Sequence, residues 1–296
     1  MTQTVLSALK GKVSNSSLKN WIGVIPFFLF AILFIFLPSM RLFIDSFKNN
    51  EGQFTFANIL QLFSEPYILN AYILSIKISA VTAIGGAIFG FLLAYSITVG
   101  NLPKSLRPVL ITFSGVASNF AGVPLAFAFV STLGRTGFVT ALLINIFGMD
   151  LYKSGFNLYG FAGLSLVYMY FQFPLMVLIM TPALDGLRQE WREAAENLGA
   201  NPMQYWLRIA LPILLPSILG ATILLFGNAF GAYATAYALT GGRLGLITIQ
   251  IGAQIRGDVL HNPGLGYAMA MGMVFIMAVS LAGYSWLQAK TERWLK

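Results

Sequence analysis

The side chains able to do chemistry in these 296 residues are few, and their types exclude more than they suggest. There is no cysteine, which removes thiol nucleophiles, disulfides and thiolate metal centres. A single histidine, His261, cannot build a histidine-rich metal site. None of the ten carboxylates lies near the middle of an apolar run. Neither a Ser-His-Asp relay nor a carboxylate pair is credible, and no catalytic residue is assigned. No G-x-x-x-x-G-K-S/T loop occurs, so nucleotide is not bound by that route, and no cofactor or metal ion is expected. What remains is a set of uncharged hydrogen-bonding groups inside apolar sequence: Ser114, Ser118 and Asn119, then Tyr168 and Gln172, then Asn228 and Tyr233. Ser114, Ser118 and Asn119 fall at i, i+4 and i+5, and Tyr168 and Gln172 at i and i+4, so each set shares one side of a helix. In hydrocarbon such a stripe must face protein or water. It reads either as the lining of a solute pathway or as hydrogen-bonding glue between helices, with aromatic packing a further reading for the tyrosines. Lys77 is the one ionisable residue well inside an apolar run. It is either functional or snorkels to the interface.

The elements that must hold these groups are membrane helices. Hydrophobic residues make up 57% of the chain and charged residues 9%, with a mean hydropathy of +0.75, which excludes a soluble globular domain. Apolar runs at 21–47, 69–99, 109–133, 158–184, 213–239 and 264–287 predict an all-α polytopic fold with six crossings. Gly86 with Gly90, and Gly227 with Gly231, are small-residue pairs suited to close helix contact. Gly115, Gly122 and Pro124 would loosen the third crossing. The apolar piece 138–147 is too short to span and is expected in the interface. A short amphipathic helix is expected near 56–63. Residues 1–20 lack a cleavage pattern and read as a retained tail, not a signal peptide.

One stretch interrupts the apolar pattern with a polar, partly charged segment: Glu193-Ala194-Ala195-Glu196-Asn197-Leu198-Gly199, followed by Ile209-Ala210-Leu211-Pro212. Gly199 can take the left-handed conformation that ends a helix. Asn201 then reads as an N-cap, with Pro202 at the first helical position and Gln204 completing a capping box. Two small helices with a break are expected, the second ending at Pro212. Glu193, Ala194, Ala195, Gly199, Ile209, Leu211 and Pro212 resemble, in type and spacing, the EAA loop of bacterial ATP-binding-cassette importer permeases of type I. Looser likeness around Tyr72–Ser79 and 247–267 points to the spermidine/putrescine-type subgroup.

The resemblance implies a permease subunit that conducts a small polar solute such as a polyamine or a phosphonate. It implies several partners: a pair of separate ATPase subunits docked on the EAA loop at 186–212, a sister or identical permease, and a periplasmic binding protein. The alternatives from other classes are a secondary transporter or channel, and a membrane scaffold; the lack of mid-span carboxylates weakens the first. Charge gives the orientation. Eleven lysines and arginines, including Lys10, Lys12, Lys19, Lys104, Arg107, Lys290, Arg293 and Lys296, fall in the termini and the 100–108 and 186–212 loops. Six fall opposite: Arg41, Lys48, Arg135, Lys153, Arg243 and Arg256. The positive-inside rule then puts both termini (tails 1–20 and 289–296) and the EAA loop in the cytoplasm, and the resemblance implies that the permease domain at 21–288 lies in the bacterial inner membrane. The formal charge of +8 is thus a topology signal, not a nucleic-acid surface.

Overall fold

The computed structural model describes residues 15–49, 51–100, 102–103, 105–257 and 261–292. Lys10, Lys12, Lys104, Arg293 and Lys296 lie outside the described residues, as does the expected tail up to residue 14. Among the described residues every regular element is a helix, apart from one isolated bridge between Lys48 and Phe54. Six segments are long and apolar enough to cross a bilayer: Gly23–Asp45, Pro66–Thr98, Gly122–Phe147, Phe161–Asp185, Pro202–Phe230 and Pro263–Lys290.

In chain order, α1 (Asn15–Ala31) passes through a π turn at Ile32–Phe36 into α2 (Leu37–Asp45). Next come the short α3 (Ala57–Ser64) and the long α4 (Pro66–Thr98). Then follow α5 (Leu106–Asn119), α6 (Gly122–Leu133), α7 (Phe138–Phe147) and α8 (Phe161–Asp185). The polar segment forms α9 (Gln189–Asn197) and α10 (Pro202–Tyr205), and a second π turn at Trp206–Ala210 carries α10 into α11 (Leu211–Phe230). α12 (Ala234–Thr240), α13 (Ile247–Arg256) and α14 (Pro263–Glu292) complete the chain.

The bundle is built around α8. In its most apolar stretch 61% of residues are buried, against 6% in the first crossing. α4 lies along α8 because its facing positions are glycines. A Cβ added at Gly86 would stand 2.7 Å from Gln172 Cβ, and one at Gly90 would stand 2.5 Å from Met176 Cβ and 2.8 Å from the Phe173 carbonyl. Only hydrogen fits there, which is how small residues let helices associate where lipid offers no hydrophobic drive. α5 and α11 flank this pair, α12 packs on α6, and α14 packs on α13 and α2. Ala83, Ala87, Ala94, Met176, Met180, Leu214 and Leu225 fill one half of the bundle. Ile78, Leu125, Leu164, Val167 and Tyr168 fill the other.

Two expected crossings take a different form. The third is not one helix over 109–133. The structure breaks it at Phe120 and Ala121, between α5 and α6, and the segment long and apolar enough to cross is Gly122–Phe147, which takes in the 138–147 piece expected in the interface. Gly122 begins the second piece at φ +75°, a conformation that costs glycine little. The fifth starts earlier and stops sooner than 213–239. The helix does not end at Pro212 but runs from Pro202 to Phe230. Pro212 is accommodated because the preceding turn widens, with the Leu211 N–H donating to Trp206 O. Pro38 follows the other π turn in the same way, the Leu37 N–H donating to Ile32 O. A proline removes one ladder bond and crowds the turn before it, and the wider turn relieves both.

Candidate functional site

At one end of the bundle Asp185 closes α8 and pairs with Arg107 at the start of α5. The chain then turns into α9, which is held by local bonds. Gln189 Nε2 donates to Glu193 Oε1 and Arg192 Nε to Glu196 Oε1, each at 2.9 Å and each at i, i+4. The Glu196 carboxylate pushes the Arg192 guanidinium above its already high value. Gly199, at φ +80°, ends the helix. Its N–H donates to Glu196 O and the Ala200 N–H to Ala195 O, both at 2.9 Å, which is a Schellman closure. Two residues on, the Asn201 side chain accepts from the Gln204 N–H while the Gln204 side chain accepts from the Asn201 N–H, each at 2.8 Å. The expected capping box is therefore present.

These two caps fold α9 back on the start of the α10–α11 helix. Ala195 is buried against Tyr205 and Ala210, with Leu187, Trp191, Trp206 and Ile209 around them. A larger side chain at Ala195 would push the hairpin apart. Trp206 also meets Tyr95 of α4 edge-on, with ring centroids 4.9 Å apart. The hairpin thus touches α4 and runs on into α11. Its other face is open. Glu193 and Ala194 are exposed, and Leu198, Met203 and Leu207 stand 88%, 70% and 55% exposed at the tip. Ile209 and Pro212 are half-buried, and Leu211 lies at the surface. A cleft of about 520 Å³ opens between the hairpin and the ends of α4 and α8, lined by Thr98, Asp185, Arg188, Arg192, Glu193 and Trp206 among others.

The second site lies where two crossings are interrupted. α5 stops at Asn119 and α11 at Phe230, and the pieces that follow meet: the Gly122 N–H donates to Thr235 Oγ1 at 2.7 Å. Irregular backbone at membrane depth survives where protein or a wet cavity satisfies it. A cavity of about 520 Å³ is found here, with Ser118, Gly122, Phe171, Asn228, Tyr233 and Thr235 in its wall. A second, of about 370 Å³, is lined by Thr248, Gly252, Arg256 and Met273 among others. Gly231 and Tyr233 belong to both. The Tyr233 ring stacks on Tyr237 at 5.5 Å and lies over Gly252, where a Cβ would come within 3.2 Å of it. Tyr233 therefore stands between the two chambers. Among the described residues Arg256 is the only charged side chain lining either.

Of the polar residues singled out from the sequence, Ser118, Asn228 and Tyr233 come together on the first chamber. Ser114 is buried in the bundle, and Asn119 is exposed, its amide donating to Gly115 O at 2.9 Å. Tyr168 and Gln172 stand one layer behind. The Tyr168 hydroxyl donates to Ala232 O at 2.7 Å and Gln172 Nε2 to Leu225 O at 2.9 Å, so α8 braces the chain on both sides of the α11 break. Sequence reasoning missed Phe171, which carries no polar signal, and the pairing of Gly122 with Thr235, which links residues far apart in the chain. Lys77 is exposed, and the α4–α8 register puts it level with Gly163, the third residue of α8.

With the geometry in hand, three comparisons bear on it. A putative ferric transport system permease protein of Haemophilus influenzae is 24% identical over 284 residues; the match covers 95% of this chain, which spans 44% of that relative's length. The spermidine/putrescine transport system permease protein PotB of the same organism is 24% identical over 281 residues, covering 92% of this chain and 95% of that one. Among solved structures, a bacterial ABC transporter involved in import of the acidic polysaccharide alginate contains a chain of the same fold. It superposes with a TM-score of 0.70 at 18% identity, covering 95% of this chain and 97% of that chain. Residues 86–294, from the middle of α4 through α14, match the family described as the binding-protein-dependent transport system inner membrane component, and the chain belongs to it.

Proposed function

We propose that this chain is the transmembrane permease subunit of an ATP-binding-cassette importer. It takes a small polar solute from a periplasmic binding protein and is driven through the 186–212 hairpin by separate ATPases. The observation that carries this reading is the hairpin tip: a rigid, doubly capped element fastened to α4 and α11 that leaves Leu198, Met203 and Leu207 uncovered. An exposed apolar tip on a polar rim suits a docking contact. On this reading Glu193 and Ala194 face the ATPase cleft, and Ala195 and Gly199 set the hairpin's shape. Ile209, Leu211 and Pro212 join it to the fifth crossing. A pair of ATPases, and a sister or identical permease, would complete the assembly. Closure of the ATPases would tilt the hairpins as rigid bodies and rock the crossings.

The solute pathway runs past the paired helix breaks, with Ser118, Asn228 and Tyr233 on its wall and Tyr233 dividing its two chambers. The lining favours an anionic or zwitterionic solute such as a phosphonate over a polyamine, because among the described residues it offers hydroxyls, an amide and Arg256 and no carboxylate. The test of coupling is co-purification of this chain with an ATP-binding-cassette ATPase co-expressed from the same source. Leu198→Asp combined with Met203→Asp should cut the ATPase retained by about tenfold or more, since a charge in an apolar contact loses at least 1.4 kcal/mol. Undiminished retention, or uptake by this chain alone without ATP, would overturn the reading and favour a secondary transporter.

A further inference from the structure

The segment between the first two crossings carries an apolar surface that neither the hairpin nor the chambers use. Phe36, Met40 and Phe43 fall at i, i+4 and i+7 on the exposed side of the first crossing, 63%, 63% and 56% exposed. That stripe does not stop where the helix does. Phe43 meets Phe47 at 5.5 Å between ring centroids, Phe47 meets Phe54 at 5.9 Å and Phe56 at 5.7 Å, and Phe54 meets Phe56 at 5.0 Å. α3 then prolongs it. Its inner side is fixed by Leu62, buried against Ile68 and Leu265, and by Asn58, whose amide donates to Ser46 O at 3.0 Å and Lys48 O at 2.8 Å. Its outer side presents Leu60 and Phe63, 70% and 73% exposed. The polar members of the same connection, Lys48, Asn49 and Gly52, line a separate cavity with His261 and Tyr267. None of these phenylalanines lines that cavity.

We infer that residues 47–63 form an interfacial foot that inserts its aromatic side into the bilayer, at the boundary of headgroups and acyl chains on the side away from the 186–212 hairpin. Three observations commit the surface to lipid. The apolar path is continuous, ring to ring, with the face of a membrane crossing. The connection is pinned at both ends to crossings, at Asp45 and at Pro66, so α3 sits beside the ends of two membrane-crossing helices. And α3 is a short helix with one apolar face anchored in the bundle and another left open, the form of an interfacial helix.

Because the chain has no native cysteine, single nitroxide labels report without background. Leu60→Cys and Phe63→Cys carry the test in vesicles of the full chain, with Glu51→Cys on the exposed turn closed by the Lys48–Phe54 bridge as the reference. Both test positions are open, so the labels leave the packing undisturbed. Collision with oxygen relative to a water-soluble nickel chelate should be several-fold higher at 60 and 63 than at 51, with mobile spectra. Nickel access at 60 and 63 equal to that at 51 would overturn the proposal and leave the face free for a water-borne protein. Immobilised spectra shielded from both probes would also overturn it, in favour of a second permease chain.

Discussion

At the scale of single residues, the bundle depends on where hydrogen stands in place of a methyl group. Gly90 sits against both a side chain and a backbone carbonyl of α8, and the carbonyl cannot swing away. Gly90→Ala must therefore separate α4 from α8, at a cost on the order of 1–3 kcal/mol. Gly115 supplies the control, because a Cβ there would meet nothing within 4 Å, and Gly115→Ala should leave stability unchanged or raise it. Thermal midpoints of the two variants in one detergent, compared with the unaltered chain, check this; equal midpoints would remove the close-approach argument. The spacing of Gly86 and Gly90 made this contact legible, since i and i+4 share a helix face and lipid-embedded helices need small residues to touch. Ser114, Ser118 and Asn119 share one helix side by spacing, but the structure buries the first, sets the second on a chamber and exposes the third, and spacing does not say which. Tyr168 and Gln172 likewise reach backbone carbonyls of α11 and its break, partners that are distant in sequence.

At the scale of elements, the hairpin and the broken helices show what local rules fix. The caps of the hairpin were readable because Gly199, Asn201, Pro202 and Gln204 act within a few residues of one another. Gly199 is held left-handed with open space around it, so its restriction is conformational and not steric. Gly199→Val should cost about 1–2 kcal/mol at this turn and re-aim the tip, while Gly199→Asn, which tolerates that region, should retain most function. The expected result in the assembled transporter is reduced substrate-stimulated ATP hydrolysis for Val, near-normal hydrolysis for Asn, and unchanged membrane insertion for both. Full stimulation with Val would argue against a role for the turn in coupling. The ends of the helix after the hairpin were not readable in the same way. Pro212 signals a stop by local rules, but a π turn absorbs it, and burial of Ala210 and Leu214 on either side rewards continuing the helix. The break at 120–121 had its glycines and proline in view; its pairing with the break after Phe230 did not, because that match is made through space.

At the scale of the whole molecule, every argument about coupling depends on which end of the bundle faces the cytoplasm. Six crossings were countable from hydropathy because each run is long enough to span, and the order of the helices then places the 186–212 hairpin and the start of α5 at one end. The connections at 46–65 and 148–160 lie at the other. Over the full sequence eleven lysines and arginines fall in the termini and the loops on the hairpin's side against six opposite, and by the positive-inside rule we propose that the hairpin end faces the cytoplasm. What hydropathy left out is how unevenly the crossings are buried, because the pattern of a lipid-facing helix and that of a partner-facing helix are alike. The first crossing, almost wholly exposed, and α8, mostly enclosed, both pass as spans, and the exposed one is the more apolar. The orientation can be tested without any partner. A cysteine at Leu198 and one at Lys153, whose side chain is 87% exposed on the turn before α8, report on opposite ends. A maleimide that cannot cross the membrane should label Leu198→Cys only in inside-out vesicles and Lys153→Cys only in right-side-out ones. The opposite pattern would put the hairpin where there is no ATP and would remove the coupling proposal, whatever the fold.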